Sequence, residues 1–195
     1  MNLPGVYDTF NKLWDGYQTV WITSDLHFSD EDLRKGFPNR PSDEELVKRI
    51  NAKVGRRDIL IILGDCGNPE FVKQLRGYKI LIAGNHEPGL SIFKDFIQEI
   101  YSGALMIGEK LLLSHEPVPN IDWALNIHGH NHNRTKVKDK FYFNVCVDVN
   151  NYEPINFNQF LKQGGYLSKI NSLHRKTIDK ATANRHGQKG SKITK

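Results

Sequence analysis

Short apolar runs that each stop at a polar or ionisable residue are the strongest constraint on the fold of this chain. The residues at or just beyond these stops are Asp25, Asp65, Asn85, His115 and the histidines of 126–132. The run 58–63 is apolar on both faces, which is typical of a strand covered on both sides. Loops at the carboxyl ends of such strands meet in one crevice when helices cover the sheet. The pattern therefore predicts an α/β fold in which these polar residues cluster.

Cap and turn signals place helices between the runs. Ser42, with Glu45 three residues later, forms a capping box in front of an apolar helical face. We predict further helices over 69–76, 91–98 and 157–162, a polar loop over 26–41, a late strand over 141–147 and an amphipathic helix over 167–181. Residues 184–195 are expected to be flexible.

Composition describes an ordinary protein of one domain. The chain has 195 residues, of which 38% are hydrophobic and 25% charged, and no apolar run reaches the roughly 18 residues of a membrane span. The first residues lack the basic and apolar regions of a signal peptide. Two cysteines are expected to be buried and reduced rather than paired. A cytoplasmic location is the resulting expectation.

The positive charge is concentrated at the C-terminal end. Residues 163–195 hold eight Lys or Arg and one acid, so they account for more than the net charge of +5. We therefore divide the chain into a globular part, 1–162, and a basic tail, 163–195. The tail offers sequence-independent attraction to nucleic acid, or it is simply a solvated end. Apart from Tyr166 it has no aromatic residue for base stacking.

The histidines of 126–132 are the clearest candidates for metal ligands. His130 and His132 are one residue apart on a predicted loop, so they can point at two neighbouring ions, although a polar turn with solvated histidines is the alternative. Together with the other strand ends they make a set of seven nitrogen and oxygen donors: Asp25, His27, Asp65, Asn85, His115, His130 and His132. Such a set suits two adjacent divalent ions that share one carboxylate. The lack of thiolate ligands disfavours structural zinc.

Five blocks of this sequence resemble the calcineurin-like metallophosphoesterase superfamily, in the same order. They are Asp25-Leu26-His27, Gly64-Asp65, Gly84-Asn85-His86-Glu87, His115 and Gly129-His130-Asn131-His132. The match runs from about residue 21 to 162, and Asn39-Arg40-Pro41 is similar to a compact bacterial and phage subgroup. The resemblance implies a four-layer α/β/β/α sandwich, with two mixed β-sheets flanked by helices.

The resemblance also implies a ligand set, residue by residue. One ion would be held by Asp25, His27, Asp65 and His132, and the other by Asp65, Asn85, His115 and His130. Asp65 would bridge the two ions, and a hydroxide that they activate would attack phosphorus. The expected cofactors are two divalent ions, Mn²⁺ first, with Fe, Zn, Ni or Mg as alternatives.

Auxiliary roles fall to residues near the blocks. His86 matches the family's general acid, which protonates the leaving oxygen, and both His86 and Asn85 are expected to contact substrate. Arg40 could bind a phosphate through two guanidinium N–H groups, or it could be an ordinary surface residue. His128 could contact phosphate or support a metal ligand. Glu87 is expected to orient His86 or a backbone group.

Two departures from the family pattern limit what can be expected of the substrate. Gly64-Asp65 is followed by Cys66-Gly67-Asn68, without the arginine that phosphoprotein phosphatases carry there, so protein phosphatase activity is disfavoured. Cys66 itself is expected to pack in the core. Asp30 stands where the compact subgroup often has a histidine, which weakens any inference about substrate from that subgroup.

The sequence thus predicts a phosphodiesterase or phosphatase acting on a small, nucleotide-like molecule, because 195 residues leave no room for a cap domain. A nuclease aided by the basic tail is the alternative. A non-catalytic scaffold of the same fold is a third interpretation, which the complete set of ligand positions disfavours. No membrane partner is expected, and the oligomeric state is left open.

Overall fold

The structure, a computed structural model, describes residues 18–87, 89–108, 110–133 and 141–164. The strands in these ranges are β1 (Val20–Thr23), β2 (Ile59–Leu63), β3 (Tyr78–Ile82), β4 (Glu99–Tyr101), β5 (Leu105–Gly108), β6 (Leu111–Leu113), β7 (Leu125–His128), β8 (Tyr142–Asn144) and β9 (Ile155–Asn156). The helices are α1 (Glu31–Gly36), α2 (Asp43–Lys53), α3 (Pro69–Val72) and α4 (Phe157–Gln163), with 3₁₀ helices at Leu90–Phe93 and Val147–Val149. In these ranges no helix has the length and hydrophobicity needed to cross a lipid bilayer.

Two mixed sheets flanked by helices form the fold, which confirms the predicted α/β class. The first sheet has the order β4-β3-β2-β1-β9, with β1 to β4 parallel and β9 antiparallel to β1. The second has the order β5-β6-β7-β8, with β5 antiparallel to β6 and the others parallel. Because parallel strands end at the same edge, the loops after β1, β2 and β3 are neighbours, as are those after β6 and β7.

β2 lies at the centre of the packing, as its continuous apolar run predicts. All five of its side chains are buried, and they alternate between two clusters. Ile61 and Leu63 pack between the two sheets, where they meet residues of β6 and β7. Leu60 and Ile62 face the other way, towards α2. Each such side chain contributes about 1.5–3 kcal/mol by burial.

The flanking elements differ between the two sheets. Ser42 Oγ caps α2 by accepting from the Glu45 N–H at 3.2 Å, as the capping box predicts. The helix then buries its apolar face on the first sheet. α4 adds Phe157 to the cluster between the sheets. On the outer face of the second sheet, Leu112 packs against Ile121 of the segment that precedes β7.

Several elements differ from the prediction in type or length. The predicted helix 91–98 is replaced by a short 3₁₀ helix, because the Gln98 N–H donates to the Lys79 carbonyl and the chain continues extended as β4. The predicted helix 69–76 shortens to α3, whose end is tightened by 3₁₀-type bonds such as Leu75 N–H to the Val72 carbonyl. α1 falls within the predicted loop. It buries none of its residues, so no apolar periodicity marked it.

Other predictions concern the ends of the chain. The strand predicted over 141–147 is confirmed only as β8, after which the backbone turns into a 3₁₀ helix. The predicted helix 167–181 and the segment 184–195 lie outside the described residues. The division of the chain at residue 162 stays a prediction.

Candidate metal centre

The loops after β1 and β2 hold their polar residues in a left-handed backbone conformation. Asp25, His27 and Asp65 have φ angles of 59°, 43° and 53°. In residues other than glycine such angles are uncommon and persist where the surroundings determine them. Here the two loops fix each other, because the Asp25 N–H donates to the Gly64 carbonyl at 3.1 Å and the His27 N–H to the Asp65 carbonyl at 2.9 Å.

Gly129 brings the loop after β7 against the loop after β1. A Cβ atom at this position would collide with Ser24 Oγ and Asp25 Oδ2. The close approach lets the His130 N–H donate to both carboxylate oxygens of Asp25, at 3.0 and 2.9 Å. Donors of the second sheet are thereby set beside donors of the first.

The side chains of Asp25, His27 and His132 form one group of ligand atoms. These atoms all lie within 4.8 Å of one another, and His132 Nε2 is 3.6 Å from Asp25 Oδ1. A carboxylate holds the other nitrogen of each imidazole. His27 Nδ1 lies 2.9 Å from Asp30 Oδ2, and His132 Nδ1 lies 2.7 Å from Asp148 Oδ2. Both Nε2 atoms are thus left for the group.

Asp65, His115 and His130 form a second group, whose ligand atoms also lie within 4.8 Å. His115 Nε2 is 2.8 Å from Asn85 Oδ1 and 3.2 Å from His130 Nδ1. Asn85 Oδ1 is in turn 3.2 Å from His130 Nδ1. The remaining nitrogen of His115 lies 2.8 Å from the Leu63 carbonyl, which accepts its proton and turns Nε2 towards the group.

Asp65 joins the two groups. Its Oδ2 lies 3.3 Å from His27 Nε2 on one side and 3.3 Å from His115 Nε2 on the other. Its Oδ1 accepts from the His86 N–H at 2.9 Å. Burial alone would raise the pKa of Asp65, but the nearby imidazoles of His115 and His27 and the hydrogen bond from the His86 N–H outweigh it and hold that pKa far below its usual range. The carboxylate is therefore ionised between the groups.

The donor set fits two divalent cations. His27 Nε2 is buried and has no hydrogen-bond partner among the described residues, a state that a metal ion would relieve. At the second group, several acceptor atoms converge on His115 Nε2, so a proton or a cation has to lie between them. Burial would lower the pKa of His115, but the hydrogen bond to Asp65 and its further contacts raise it to about 9. Without an ion, a proton takes that place.

His86 lies exposed beside both groups. Its ring centroid is 5.4 Å from that of His27. The side chain borders a cavity of about 490 Å³ that is also lined by Phe28, Asp30 and Asn68. Its position at an open face beside the donor groups is compatible with the proton-donating role predicted for it.

Asn85 and His115 border a second cavity, on the side of the second group. Its volume is about 290 Å³, and Ala83, Ala104 and Val118 are among its lining residues. Ser114 and Glu116 also line this second cavity, and the acidic residues Glu31 and Asp32 border the first. The dipeptide 85–86 thus separates two openings next to the donor groups.

Arg40 does not reach either cavity, which argues against the predicted phosphate contact. Its side chain is 2% exposed. The guanidinium forms an ion pair with Asp148 and donates through Nη2 to the carbonyl oxygens of Asp25, at 2.8 Å, and Leu26. With its donors engaged inside the protein, Arg40 is not free to grip a substrate.

His128 also lies apart from both groups of ligand atoms. It is buried at the end of β7, its Nδ1 lies 2.8 Å from the Gly129 carbonyl, and its ring packs edge-on against Tyr142. Burial lowers the pKa of His128, so its ring is neutral. The geometry favours a structural role over the predicted contact with phosphate.

Glu87 and Cys66 have structural contacts. Both Glu87 oxygens accept from the backbone, Oε1 from the Cys66 N–H at 3.1 Å and Oε2 from the Gly84 N–H at 2.6 Å. Of the two roles predicted for Glu87, orienting His86 or orienting a backbone group, these contacts correspond to the second. Burial raises the pKa of the Cys66 thiol, which sits in the core as expected.

Sequence reasoning missed the two carboxylates that orient imidazoles. Asp30 also caps α1 by accepting from the Leu33 N–H at 2.9 Å, and its spacing of three residues from His27 was the available signal. Asp148 lies in the 3₁₀ helix after β8, and no motif in the sequence distinguishes it.

Two mixed sheets carrying converging nitrogen and oxygen donors at their strand ends define a metal-dependent hydrolase class of site. The chain belongs to the calcineurin-like phosphoesterase family, whose model matches residues 18–189. Members of this family use divalent metals to hydrolyse phosphoesters, and the two groups of ligand atoms are candidate sites for such ions.

Two solved structures are similar to this chain. A protein of unknown function, AQ665 from Aquifex aeolicus, is 27% identical with a TM-score of 0.62, over 75% of this chain and 99% of that one. The nuclease MPE from Pseudomonas putida is 20% identical with a TM-score of 0.32, over 58% of this chain and 60% of that one. No curated protein sequence matches the chain.

Proposed function

We propose that this protein is a dimetal phosphohydrolase that acts on a phosphodiester or phosphomonoester of a small, nucleotide-like molecule. The observation that carries the proposal is Asp65, an ionised carboxylate whose Oδ2 lies 3.3 Å from an imidazole nitrogen of each donor group. One such carboxylate between two groups is what a pair of adjacent divalent ions requires.

Mn²⁺ is our first choice for the ions, because imidazole, carboxylate and amide donors suit it. The cysteines do not compete as thiolates. Cys66 is in the core, and burial raises the pKa of Cys146 beside His132. Iron, zinc, nickel and magnesium are alternatives that metal analysis distinguishes. The free, buried thiols also support a cytoplasmic location, which fractionation of cells can test.

The chain's own residues divide the work of hydrolysis. Asp25, His27 and His132 would hold one ion and Asn85, His115 and His130 the other, with Asp65 shared. When bound, the ions supply an activated water and neutralise charge on the phosphoryl oxygens. His86 protonates the leaving oxygen from its exposed position beside the groups. Asn85 orients the phosphoryl group next to it.

The two cavities support a substrate with an organic group on each side of phosphorus. The larger, at about 490 Å³, borders His86 and would take the leaving group, because the proton donor stands there. The smaller, at about 290 Å³, borders Asn85 and His115 and would take the other substituent. A phosphomonoester would fill only one of them.

Hydrolysis of bis-p-nitrophenyl phosphate compared with p-nitrophenyl phosphate tests the proposal. We expect Mn²⁺-dependent turnover that a chelator abolishes, with the diester preferred. No turnover of either compound, together with no bound metal by elemental analysis, would overturn the assignment as an enzyme. A preference for the monoester would overturn only the proposal that each cavity takes one of two organic groups on phosphorus.

A nuclease is the second candidate function, supported by the eight basic residues of 163–195. Phosphate attraction by such a tail weakens steeply with salt. If the tail recruits nucleic acid, removing the residues after 163 should abolish salt-sensitive DNA binding while small-diester hydrolysis persists. Unchanged DNA binding by the shortened chain would exclude this role.

A further inference from the structure

The buried pair of Arg40 and Asp148 touches the candidate metal centre without belonging to either set of ligands. Their side chains are 2% and 1% exposed, and the guanidinium contacts both carboxylate oxygens through Nη1. The two residues are 108 positions apart in the chain. A buried ion pair between distant segments is costly to assemble unless further contacts satisfy it.

Those further contacts lead to the first donor group. Arg40 Nη2 donates to the carbonyl oxygens of Asp25 and Leu26, which fixes the loop after β1. Asp148 Oδ2 lies 2.7 Å from His132 Nδ1. The pair therefore connects the backbone of Asp25 to the ring of His132.

The contact at Nδ1 determines which nitrogen of His132 can bind an ion. The Arg40 guanidinium pairs with Asp148, so Asp148 faces His132 as a hydrogen-bond acceptor. With Nδ1 donating to Asp148, the lone pair of the ring lies on Nε2. Nε2 is the atom that faces Asp25 Oδ1, at 3.6 Å.

The same pair explains why a third set of potential ligands is not a separate ion site. His132, Cys146 and Asp148 have ligand atoms within 4.8 Å of one another. The guanidinium of Arg40 already pairs with Asp148, and the buried Cys146 thiol donates to Asp148 Oδ2 at 3.5 Å. Asp148 is thus kept as a hydrogen-bond acceptor.

We infer that Arg40 and Asp148 are positioning residues, which hold His132 with its Nε2 directed at the ion beside Asp25 and His27. The inference rests on the proposed function, because it concerns one of the ions assigned there. It gives the arginine of Asn39-Arg40-Pro41 a role inside the protein rather than on a phosphate.

Calorimetric titration of metal-free protein with Mn²⁺ tests the inference without turnover. Asp148→Asn and Arg40→Met should each weaken one of two Mn²⁺ sites by about 10- to 100-fold and leave the other within about threefold. Nitrogen-15 spectra of the imidazoles should show His132 protonated at Nδ1 in the wild type and redistributed to Nε2 in Asp148→Asn.

Arg34→Met is the matched control. Arg34 pairs with Asp43 at 2.7 Å and donates to the Pro41 carbonyl at 2.9 Å, and neither of these contacts reaches His132. We expect its Mn²⁺ affinities to equal those of the wild type. If Arg40→Met does not fold, the double variant Arg40→Met/Asp148→Leu removes both charges together, a change that buried ion pairs often tolerate.

The outcomes separate the inference from the proposed function. Two Mn²⁺ sites in the wild type that are unchanged in Asp148→Asn and in the double variant would overturn the positioning role while leaving the dimetal proposal intact. A wild type that binds no ion would instead overturn the proposed function. If Arg34→Met loses as much Mn²⁺ affinity as Arg40→Met, the loss would reflect general destabilisation of the fold, and this result would also count against the inference.

Discussion

Replacing Asp65 by Asn should remove the shared charge of the metal centre with little change of shape. The amide oxygen can still accept from the His86 N–H, which now lies 2.9 Å from Oδ1. The lost charge acts at 3.3 Å on each side, at His27 Nε2 and His115 Nε2. At an effective dielectric constant of about 20, the Asp65 charge and a unit of charge on an ion bound at about the same distance would interact by about 5 kcal/mol.

Solvent and neighbouring charges compensate part of this loss. If half of it remains, about 2.5 kcal/mol, the second Mn²⁺ binds roughly 50- to 100-fold more weakly in Asp65→Asn. The assay is metal content after dialysis at fixed free Mn²⁺, followed by hydrolysis of bis-p-nitrophenyl phosphate. We expect about one ion per chain, a native circular dichroism spectrum and activity below about 1% of wild type.

Asp95→Asn is the matched control, because Asp95 is an exposed acid that lines neither cavity. It should keep both ions and full activity. Two ions per chain in Asp65→Asn, with activity within about threefold of wild type, would refute the bridging role of Asp65.

Three further predictions concern other parts of the site. His86→Asn should lower turnover of an alkyl phosphodiester by about 10²- to 10⁴-fold and that of bis-p-nitrophenyl phosphate much less, since p-nitrophenolate leaves without protonation; equal losses on both would contradict a proton donor. In metal-free, chelated protein the pKa of His115 is raised from 6.5 to about 9, so protonation of His115 stabilises the fold fully below pH 6.5, and this stabilisation is lost as the pH rises through 9. The Tm of the wild type should therefore fall over that pH range, and the Tm of His115→Gln should not. A His115→Gln variant whose Tm still falls would exclude His115 as the cause. Gly129→Ala forces a Cβ against Ser24 and Asp25 and should lower the free energy of unfolding by about 1–3 kcal/mol; an unchanged urea midpoint would show that the loop relaxes.

The candidate ligand residues could be singled out in the sequence because each follows an apolar run by one or a few residues. Asp65 lies two positions beyond β2 and His115 two positions beyond β6, so within each sheet parallel pairing brings such side chains to the same edge. The spacing of His130 and His132 on a bent loop permits their division between two groups, which the family resemblance implied.

The groups that orient the ligands could not be predicted in the same way. Arg40 and Asp148 belong to no common local pattern, and their contact depends on how the segment after α1 packs against the turn after β8. A guanidinium near a predicted phosphate site suggests an anion contact. Only the packing shows that a buried carboxylate and two carbonyl oxygens already occupy the donors of Arg40.

The donor groups draw on both sheets, since Asp25 and Asp65 follow strands of one and His115 and His132 follow strands of the other. Bound ions would therefore cross-link the two sheets of the sandwich. Binding of this kind raises the free energy of unfolding by about 2.7 kcal/mol when the free metal concentration is a hundred times the dissociation constant. Protease digestion of Mn²⁺-loaded and chelated protein would report the difference as a change in half-life. The concentration of available metal would then determine the resistance of this protein to proteolysis as well as its catalytic rate.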